Sequence, residues 1–512
     1  MAKSKTTDTQ DPLIVIASNR GPFSFTQHED GSFSSERGAG GLVTALSALA
    51  EQHDVLWIAC ALGDDDRAWA KAQGHAPQDV QGTRLKLVIP DDEAYNKYYN
   101  TIANPLLWFI QHQLWDATRA PSITAQTIDA WENGYVAMNR LFADAIIEVV
   151  KAEERPVIIF PQDYHLYLTP RMLREALGDT AQIASFCHIP WPGPDNWRIL
   201  PTEMRRQLLD SLLGADRVGF QTKKDAFNFV QTCRFYLEGA HSHGARDSIH
   251  YEGRKVGAYA YPISIDADML DQMTDSNEVR LFKNNLLNTV GDNKLILRTD
   301  RIEPSKNILR GLEAFRALLE HHPEHQGRVM FLMLLVPSRM EVDEYSTYLQ
   351  EIMASAGLIN ADYSDGFWEP VRVIVGNNYA RAIAAMQMYD GLLVNPLADG
   401  MNLVAKEGVL VNQRAGVLVL SENAGAFFEL GDAALTVSPF DVYGTAEALH
   451  MALTMPGDER RERAEKLRTL VRRNDIRRWF HDQTQDALRE MASSNQAKKS
   501  STSSVSDKNK SE

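Results

Sequence analysis

Two cations, Arg301 and Lys306, stand five residues apart in the stretch Arg298-Thr299-Asp300-Arg301-Ile302-Glu303-Pro304-Ser305-Lys306-Asn307. A diphosphate departing from a sugar gains negative charge in the transition state, and a paired guanidinium and ammonium stabilise that charge without a metal ion. The ordinary alternative for such a pair is a solvated basic turn. Arg339, in Val336-Pro337-Ser338-Arg339, follows the next apolar run and adds a third cation suited to an anionic ligand.

The segment Asn395 to Glu407 (NPLADGMNLVAKE) is the most informative in the chain. Its Gly400-Met401-Asn402-Leu403 turn opens a helix, and the free N–H groups of a helix N-terminus form a cradle for a diphosphate. Asp399 offers oxygens to sugar hydroxyls, and Glu407, eight residues on, suits ribose hydroxyls. An ordinary helix start with an acidic cap gives the same letters. Earlier in the chain, Asp163 in Gln162-Asp163-Tyr164-His165 and His188 in His188-Ile189-Pro190-Trp191-Pro192 each follow a short apolar run. Arg20 closes Leu13 to Arg20 (LIVIASNR), and the loop Gly38-Ala39-Gly40-Gly41 lets backbone approach a phosphate or sugar. Tyr99 and Trp108 supply rings on which sugars stack. Read singly, each has a structural explanation: a surface arginine, a tight turn, core aromatics, a satisfied histidine.

These residues must be placed by elements that alternate. Short apolar runs bounded by turn residues interleave with amphipathic stretches, the pattern of a parallel sheet with crossover helices. Strands are predicted at Leu13–Ala17, Val55–Ala59, Val157–Phe160, Ile183–Cys187 and Arg217–Gly219. A second series falls at Lys294–Thr299, Val329–Leu335, Val371–Val375, Gly391–Asn395 and Gly416–Leu420, with helices such as Asn307–His321 and Ala380–Met388. Ser242–Lys255 reads as an exposed hairpin or loop, and Glu459–Met491 as the last helical stretch, with more residues than the second sheet alone needs. The expected organisation is a disordered N-terminus at 1–12, then Rossmann-like domains at 13–265 and 266–475. A helix at 476–491 returns to the first domain, and 492–512 is a disordered Ser/Lys-rich tail. Ligands then bind at the carboxyl ends of the strands, in a cleft between the domains.

The bulk numbers agree with a large globular chain. Its 512 residues exceed what one core sustains, and 44% are hydrophobic. A formal net charge of -15 disfavours nucleic acid and anionic membrane as partners. Three scattered cysteines, Cys60, Cys187 and Cys233, fit a reduced, cytoplasmic setting, and no run resembles a signal peptide or a membrane span.

Taken in order, SNR with GAGGL, YYN with LLW, QDYHL, HIPWP, GFQT, YPISID, RIEPSK, PSR and DGMNLVAKE resemble the trehalose-6-phosphate synthase family over residues 13 to 490. These are the retaining enzymes of glycosyltransferase family 20, with the α/β fold called GT-B, two doubly wound Rossmann-like domains facing a central cleft. The resemblance implies glucose transfer from UDP- or GDP-glucose to glucose 6-phosphate, giving trehalose 6-phosphate. It assigns the acceptor phosphate to Arg20, Tyr99, Trp108 and Arg339, and the acceptor sugar to Asp163. Donor glucose falls to His188, Asp399, Gly400 and Met401, with Asn402, Leu403 and the Gly41 loop near the diphosphate. Arg301 and Lys306 bind that diphosphate and Glu407 the ribose; Arg301, Lys306, His188, Asp163 and Asp399 form the catalytic set.

No carboxylate is clearly placed as a nucleophile, so front-face substitution is expected, with the departing phosphate oxygen taking the acceptor proton and domain closure excluding water. No obligatory metal is implied, and Asp266-Ala267-Asp268 only imitates a metal-binding pair. Partners are then small molecules, with a homo-oligomer left open and a separate phosphatase acting downstream. The chain departs from the family at Ile302-Glu303-Pro304, Ala398, Ser264 and Trp191. Those variants resemble a branch in which GDP-glucose replaces UDP-glucose, and share features with pseudo-glycosyltransferases that join cyclitols. The alternatives are thus a synthase using another phosphorylated acceptor, glycerol 3-phosphate or an aminocyclitol phosphate, and a noncatalytic sugar-nucleotide sensor. The presence of Arg301, Lys306 and Asp399 speaks against the sensor.

Overall fold

A computed structural model describes residues 11–38, 53–242, 247–339 and 343–508 of the chain. They form two compact units. Unit 1 comprises Trp115–Tyr261, the residues before Gln111 and those after Ile476; unit 2 comprises Pro262–Ile476 with Gln111–Leu114. The division falls after Tyr261, four residues before the 265/266 boundary expected above. Tyr261-Pro262 is where the last strand of the first sheet has just ended, so the chain is free to leave it.

Unit 1 is built from β1 (Leu13–Ser18), β2 (Phe23–Gln27), β3 (Phe33–Arg37), β4 (Val55–Cys60), β5 (Gln78–Val80) and β6 (Thr83–Val88), followed by β7 (Val157–Pro161), β8 (Ala181–Phe186), β9 (Arg217–Phe220), β10 (Ser248–Tyr251) and β11 (Arg254–Ala260). The main sheet runs β10-β11-β9-β8-β7-β1-β4-β6-β5, parallel except for the antiparallel edge pairs β10–β11 and β5–β6. β1, β4, β7 and β8 are buried on both faces, which explains their unbroken apolar letters. The separate β2–β3 ribbon escapes a search for such runs because its polar residues are mostly exposed, while the β10–β11 hairpin overlaps Ser242–Lys255, read above as an exposed hairpin or loop. The ribbon is anchored by Phe25, stacked on Trp69 at 4.0 Å.

Unit 2 continues with β12 (Lys294–Arg301), β13 (Val329–Val336), β14 (Val371–Val375), β15 (Gly391–Val394), β16 (Val417–Ser421) and β17 (Leu435–Val437). The sheet order β14-β13-β12-β15-β16-β17 is the third-second-first-fourth-fifth-sixth order of a dinucleotide-binding fold, parallel throughout. Helices α1 (Ile308–His321), α2 (Tyr379–Met386), α3 (Leu403–Val411) and α4 (Val442–Thr454) cross between strands. Their apolar faces close a core around Ile296, Leu312, Phe315, Phe331, Met333 and Leu449, each fully buried.

The helical stretch Glu459–Met491 comprises two helices, α5 (Gly457–Arg473) and α6 (Ile476–Lys508), the second starting at the residue where a returning helix is expected above. The backbone leaves helical geometry at Asn474, with φ −114° and ψ 64°, and Ile476 then donates to the carbonyl of Ile265 at 3.2 Å. From Arg477 on, α6 belongs to unit 1: Phe480 meets Phe160 at 5.0 Å, and Arg217 pairs with Glu490 at 2.7 Å. The segment 492–512, expected as a disordered tail, continues α6 as far as Lys508. Once a packed helix exists each added residue needs no new nucleus, and Gln496, Ala497, Lys498 and Lys499 are good helix formers. Among the described residues no helix is long and apolar enough to cross a membrane.

Candidate functional site

In unit 2 the strand order reverses between β12 and β15, and the loops after these two strands hold the cations and carboxylates singled out above. β12 ends in Arg301, and a short 3-10 turn, Pro304–Lys306, leads into α1 through Asn307 in the left-handed region, φ 59°. Asn307 holds that conformation by donating to the carbonyls of Asn395 at 3.0 Å and Pro439 at 2.7 Å. The turn therefore delivers the Lys306 ammonium to the Asp399 carboxylate, with which it forms a close ion pair, and to Asp300 at 3.9 Å. Burial works against both charges. Mutual attraction wins, so the Lys306 ammonium is held above its ordinary range and the Asp399 carboxyl below it.

Asp399 is fixed in turn. Its side chain accepts from Asn402 at 3.1 Å, and Asn402, at φ 70°, caps α3 by accepting from the Ala405 amide. The Gly400-Met401 backbone lies against Gly425 so closely that a Cβ there would stand 1.9 Å from the Gly400 carbonyl oxygen. Leu403 begins α3, and Glu407, one turn further, accepts from the Tyr379 hydroxyl at 3.0 Å. Burial raises the Glu407 carboxyl, with the tyrosine opposing. A cavity of about 220 Å³ opens here, with Arg301, Lys306, Asp300 and Glu407 on its walls beside Leu334, Met386 and Val404.

Arg301 and Arg339 meet on one carboxylate that the sequence reading did not assign. Glu303, fully buried, lies 3.2 Å from Arg301 and 3.4 Å from Arg339, and accepts from Ser338 at 3.0 Å. Burial alone would raise its carboxyl; the two guanidinium groups outweigh burial and hold it down at about 2. Arg339, at φ 47°, also donates to Tyr345 at 2.8 Å. Glu303→Gln keeps the shape but removes the charge that sets both arginines. Turnover should fall about 10-fold or more, the usual consequence of ångström-scale misplacement, as read by steady-state kinetics. Unchanged kinetics would mean the arginines position themselves. Arg298, also missed, is buried in the interior of β12 and pairs with Asp300 at 3.0 Å.

Unit 1 holds the remaining candidates, again where the sheet reverses, between β1 and β7. Exposed Arg20 follows β1, and Gln162 after β7 donates its amide to the Ala17 carbonyl at 2.8 Å. Asp163, at φ 70°, accepts from the His188 amide at 3.1 Å, which ties the loops after β7 and β8 together. Tyr99 stacks between Tyr95 and His165, at 5.5 and 5.9 Å, and Trp108 meets the edge of Tyr164 at 5.5 Å. Tyr99 lies on an unusually wide helical run, Lys97–Leu107, with Pro105 inside it, a geometry often found at functional sites. Gly41 lies outside the described residues.

His188 is held between two glutamines, Nε2 at 3.0 Å from the Gln162 oxygen and Nδ1 at 3.3 Å from the Gln221 amide nitrogen. This places the ring proton on Nε2, and burial pushes the pKa down to about 3. The ring is thus neutral at physiological pH and serves as a hydrogen-bonding group. The unfolded chain takes up a proton near 6.5 that the folded chain refuses until about 3, so this histidine withdraws stability as pH falls through that window. NMR of the imidazole should show no titration of His188 between pH 5 and 8, and a midpoint there would contradict the assignment.

Backbone conformation supplies an independent marker. Of the nine non-glycine residues with positive φ among those described, Asp163, Asn307, Arg339 and Asn402 lie in the loops just built up. Backbone held in sparsely populated regions gathers at ligand sites.

Unit 2 is therefore a Rossmann-like domain by strand order, with its charges placed at the switch point where such folds take ligands. The chain belongs to glycosyltransferase family 20, whose model matches residues 12–489, and its two Rossmann-like units are of the GT-B class. It is 33% identical over 472 residues to an alpha,alpha-trehalose-phosphate synthase [UDP-forming] of Aspergillus fumigatus, covering 89% of this chain and 93% of the relative. It spans only 56% of the length of another relative, from Arabidopsis thaliana, at 32% identity. A solved E. coli chain bound with UDP-2-fluoro glucose has a TM-score of 0.80 at 28% identity, covering 93% of this chain and 98% of its own. A synthase from Burkholderia xenovorans, solved in complex with glucose-6-phosphate, scores 0.79 at 27% identity, covering 93% and 100%.

Proposed function

We propose that the chain transfers the glucosyl group of UDP-glucose to glucose 6-phosphate with retention, releasing UDP and forming trehalose 6-phosphate. The observation that carries this reading is the group at the β12/β15 switch point: Arg301, Lys306 and Glu407 lining one cavity, with Asp399 paired to Lys306. Arg301, Lys306 and the first amides of α3, at Asn402 and Leu403, take the diphosphate, and Glu407 with Tyr379 takes the ribose. Asp399, Gly400, Met401 and His188 take the donor glucose. Arg20, Tyr99, Trp108 and Arg339 take the acceptor phosphate, and Asp163 the acceptor sugar.

In this reading the acceptor hydroxyl attacks from the side of the leaving group and passes its proton to the departing phosphate oxygen, while Arg301 and Lys306 stabilise the charge that collects there. The leaving group is neutralised by side chains, so no metal is assigned to the reaction. UDP is preferred over GDP as the leaving nucleotide because the relatives reported above carry the UDP-forming description.

The test is incubation with glucose 6-phosphate and either UDP-glucose or GDP-glucose, with the product identified by mass and NMR. An α,α-linked disaccharide phosphate with UDP released is the expected result. Transfer only to glycerol 3-phosphate or a cyclitol phosphate, or no transfer at all, would overturn the reading.

A further inference from the structure

The far end of α1 from Lys306 runs into His321-His322-Pro323-Glu324-His325, and α4 alongside carries Glu447 and His450. Packing of the two helices gathers three imidazoles and two carboxylates that sugar transfer does not use. The rings of His322 and His450 lie parallel, with centroids 3.7 Å apart. Oε1 of Glu324 is 3.6 Å from Nδ1 of His322 and 3.9 Å from Nδ1 of His450, and the three side chains can each offer a ligand atom within 4.8 Å of the other two. His325, buried beneath them, places Nε2 at 3.0 Å from Nδ1 of His450. Ligand atoms bound to one tetrahedral zinc ion at the usual 2.0–2.1 Å stand roughly 3.3 Å apart, near the 3.0, 3.6 and 3.9 Å separations here; an imidazole ligates in its own plane, so one of the stacked rings of His322 and His450 turns out of parallel on binding.

The proton arrangement points the same way. The Glu447 carboxylate, 2.8 Å from Nε2 of His322, draws the ring proton to that nitrogen. A lone pair is then left on Nδ1, facing the carboxylate of Glu324. A carboxylate on the outer nitrogen of a ligating histidine is also what fixes tautomer and orientation in metal sites.

We propose that His322, Glu324 and His450, with His325 as a fourth ligand, form a binding site for a divalent transition ion of the zinc type. Three imidazoles and one carboxylate suit zinc or cobalt far better than magnesium or calcium. The position gives the ion a structural task. α1 starts at Asn307, beside Lys306, and Asn307 donates to the carbonyl of Pro439 just ahead of α4. An ion at the other end of the pair pins together two helices that begin at the nucleotide side.

Titration of the full chain with cobalt(II) should produce the visible absorption band of a tetrahedral site, at one equivalent and displaceable by zinc. His450→Gln and, separately, Glu324→Gln should abolish the band; Glu324 is exposed, so its variant keeps the fold. Glu447→Gln should weaken zinc binding about 10-fold or more, the usual effect of removing such a carboxylate. Zinc should raise the Tm of the wild-type chain and leave that of His450→Gln unmoved. No saturable binding by the wild-type chain would overturn the proposal and leave His322 as an imidazolium between two carboxylates. So would a band that survives in both ligand variants.

Discussion

Lys306→Ala should lower kcat by about 10²- to 10³-fold, the range seen when one preorganised group facing transition-state charge is removed, and leave the affinity for glucose 6-phosphate unchanged. The expectation follows from where the ammonium stands. It is nearly buried, and it is the cation paired to Asp399 on the wall of the cavity that also holds Arg301 and Glu407. A charge so enclosed acts through a low local dielectric and needs no reorganisation as the diphosphate departs. The acceptor phosphate is assigned to other cations. Steady-state kinetics and calorimetry with glucose 6-phosphate check the split, and equal loss of turnover and acceptor binding would contradict the role. The same substitution leaves Asp399 and Asp300 without their shared cation, so Tm should also fall, and kinetics belong well below the variant's unfolding range.

Most strands buried on two faces were legible, because an unbroken apolar run such as Leu13–Ala17 or Val329–Leu335 has no other use in a chain of this kind; β6, nearly as buried, was not, since Arg84 and Lys86 interrupt its apolar letters. Val371–Val375 was found to the residue even though β14 is only partly buried. What escaped is short or half-polar: the β2–β3 ribbon, in which only Phe23 and Phe25 are buried, and the three-residue edge strand β5, whereas β10 lies in the segment Ser242–Lys255 read as an exposed hairpin or loop. The segment Glu459–Met491 was read as helical with a returning helix from 476, and α6 begins at Ile476, separated from α5 by the non-helical backbone of Asn474.

The candidate site divides along the same line. Arg301, Lys306, Asp399 and Glu407 stand in a strand-turn-helix context that letters reveal, and unit 2 brings all four to one cavity or its immediate wall. Arg20, Tyr99, Trp108, Asp163 and His188 lie in unit 1. Glu303 was noticed only as a departure from a familiar pattern. Its function depends on Arg339, 36 residues away, folding back to the same carboxylate, which no local spacing announces. The four positive-φ residues signalled little: Asp and Asn enter that region more readily than other side chains but mostly lie outside it, and Arg339 has no such tendency.

Arg298→Ala should be the most damaging single change in unit 2 that touches no substrate. The guanidinium is fully buried inside β12, where it pairs with Asp300 at 3.0 Å and donates to the Asn395 side chain and the Lys306 carbonyl, each at 2.6 Å. One rigid fork thus joins the strand to both loops of the switch point. Gly311 on α1 makes room for it, since a Cβ there would lie 2.4 Å from the nearer nitrogen. Burial already raises the Asp300 carboxyl despite Arg298 and Lys306. Removing the arginine therefore strands a buried acid, a loss of about 3–5 kcal/mol, or roughly 10 °C in Tm for a domain of this size. Turnover should fall with it, because Lys306 and Asn395 lose their common anchor. Arg298→Lys should rescue neither, for a single ammonium cannot reach three acceptors arranged to match a planar fork. Thermal scans and kinetics on both variants decide the matter: a lysine variant with wild-type Tm and kcat would show that only the charge counts, and that the shape of the guanidinium does not hold the two loops in place.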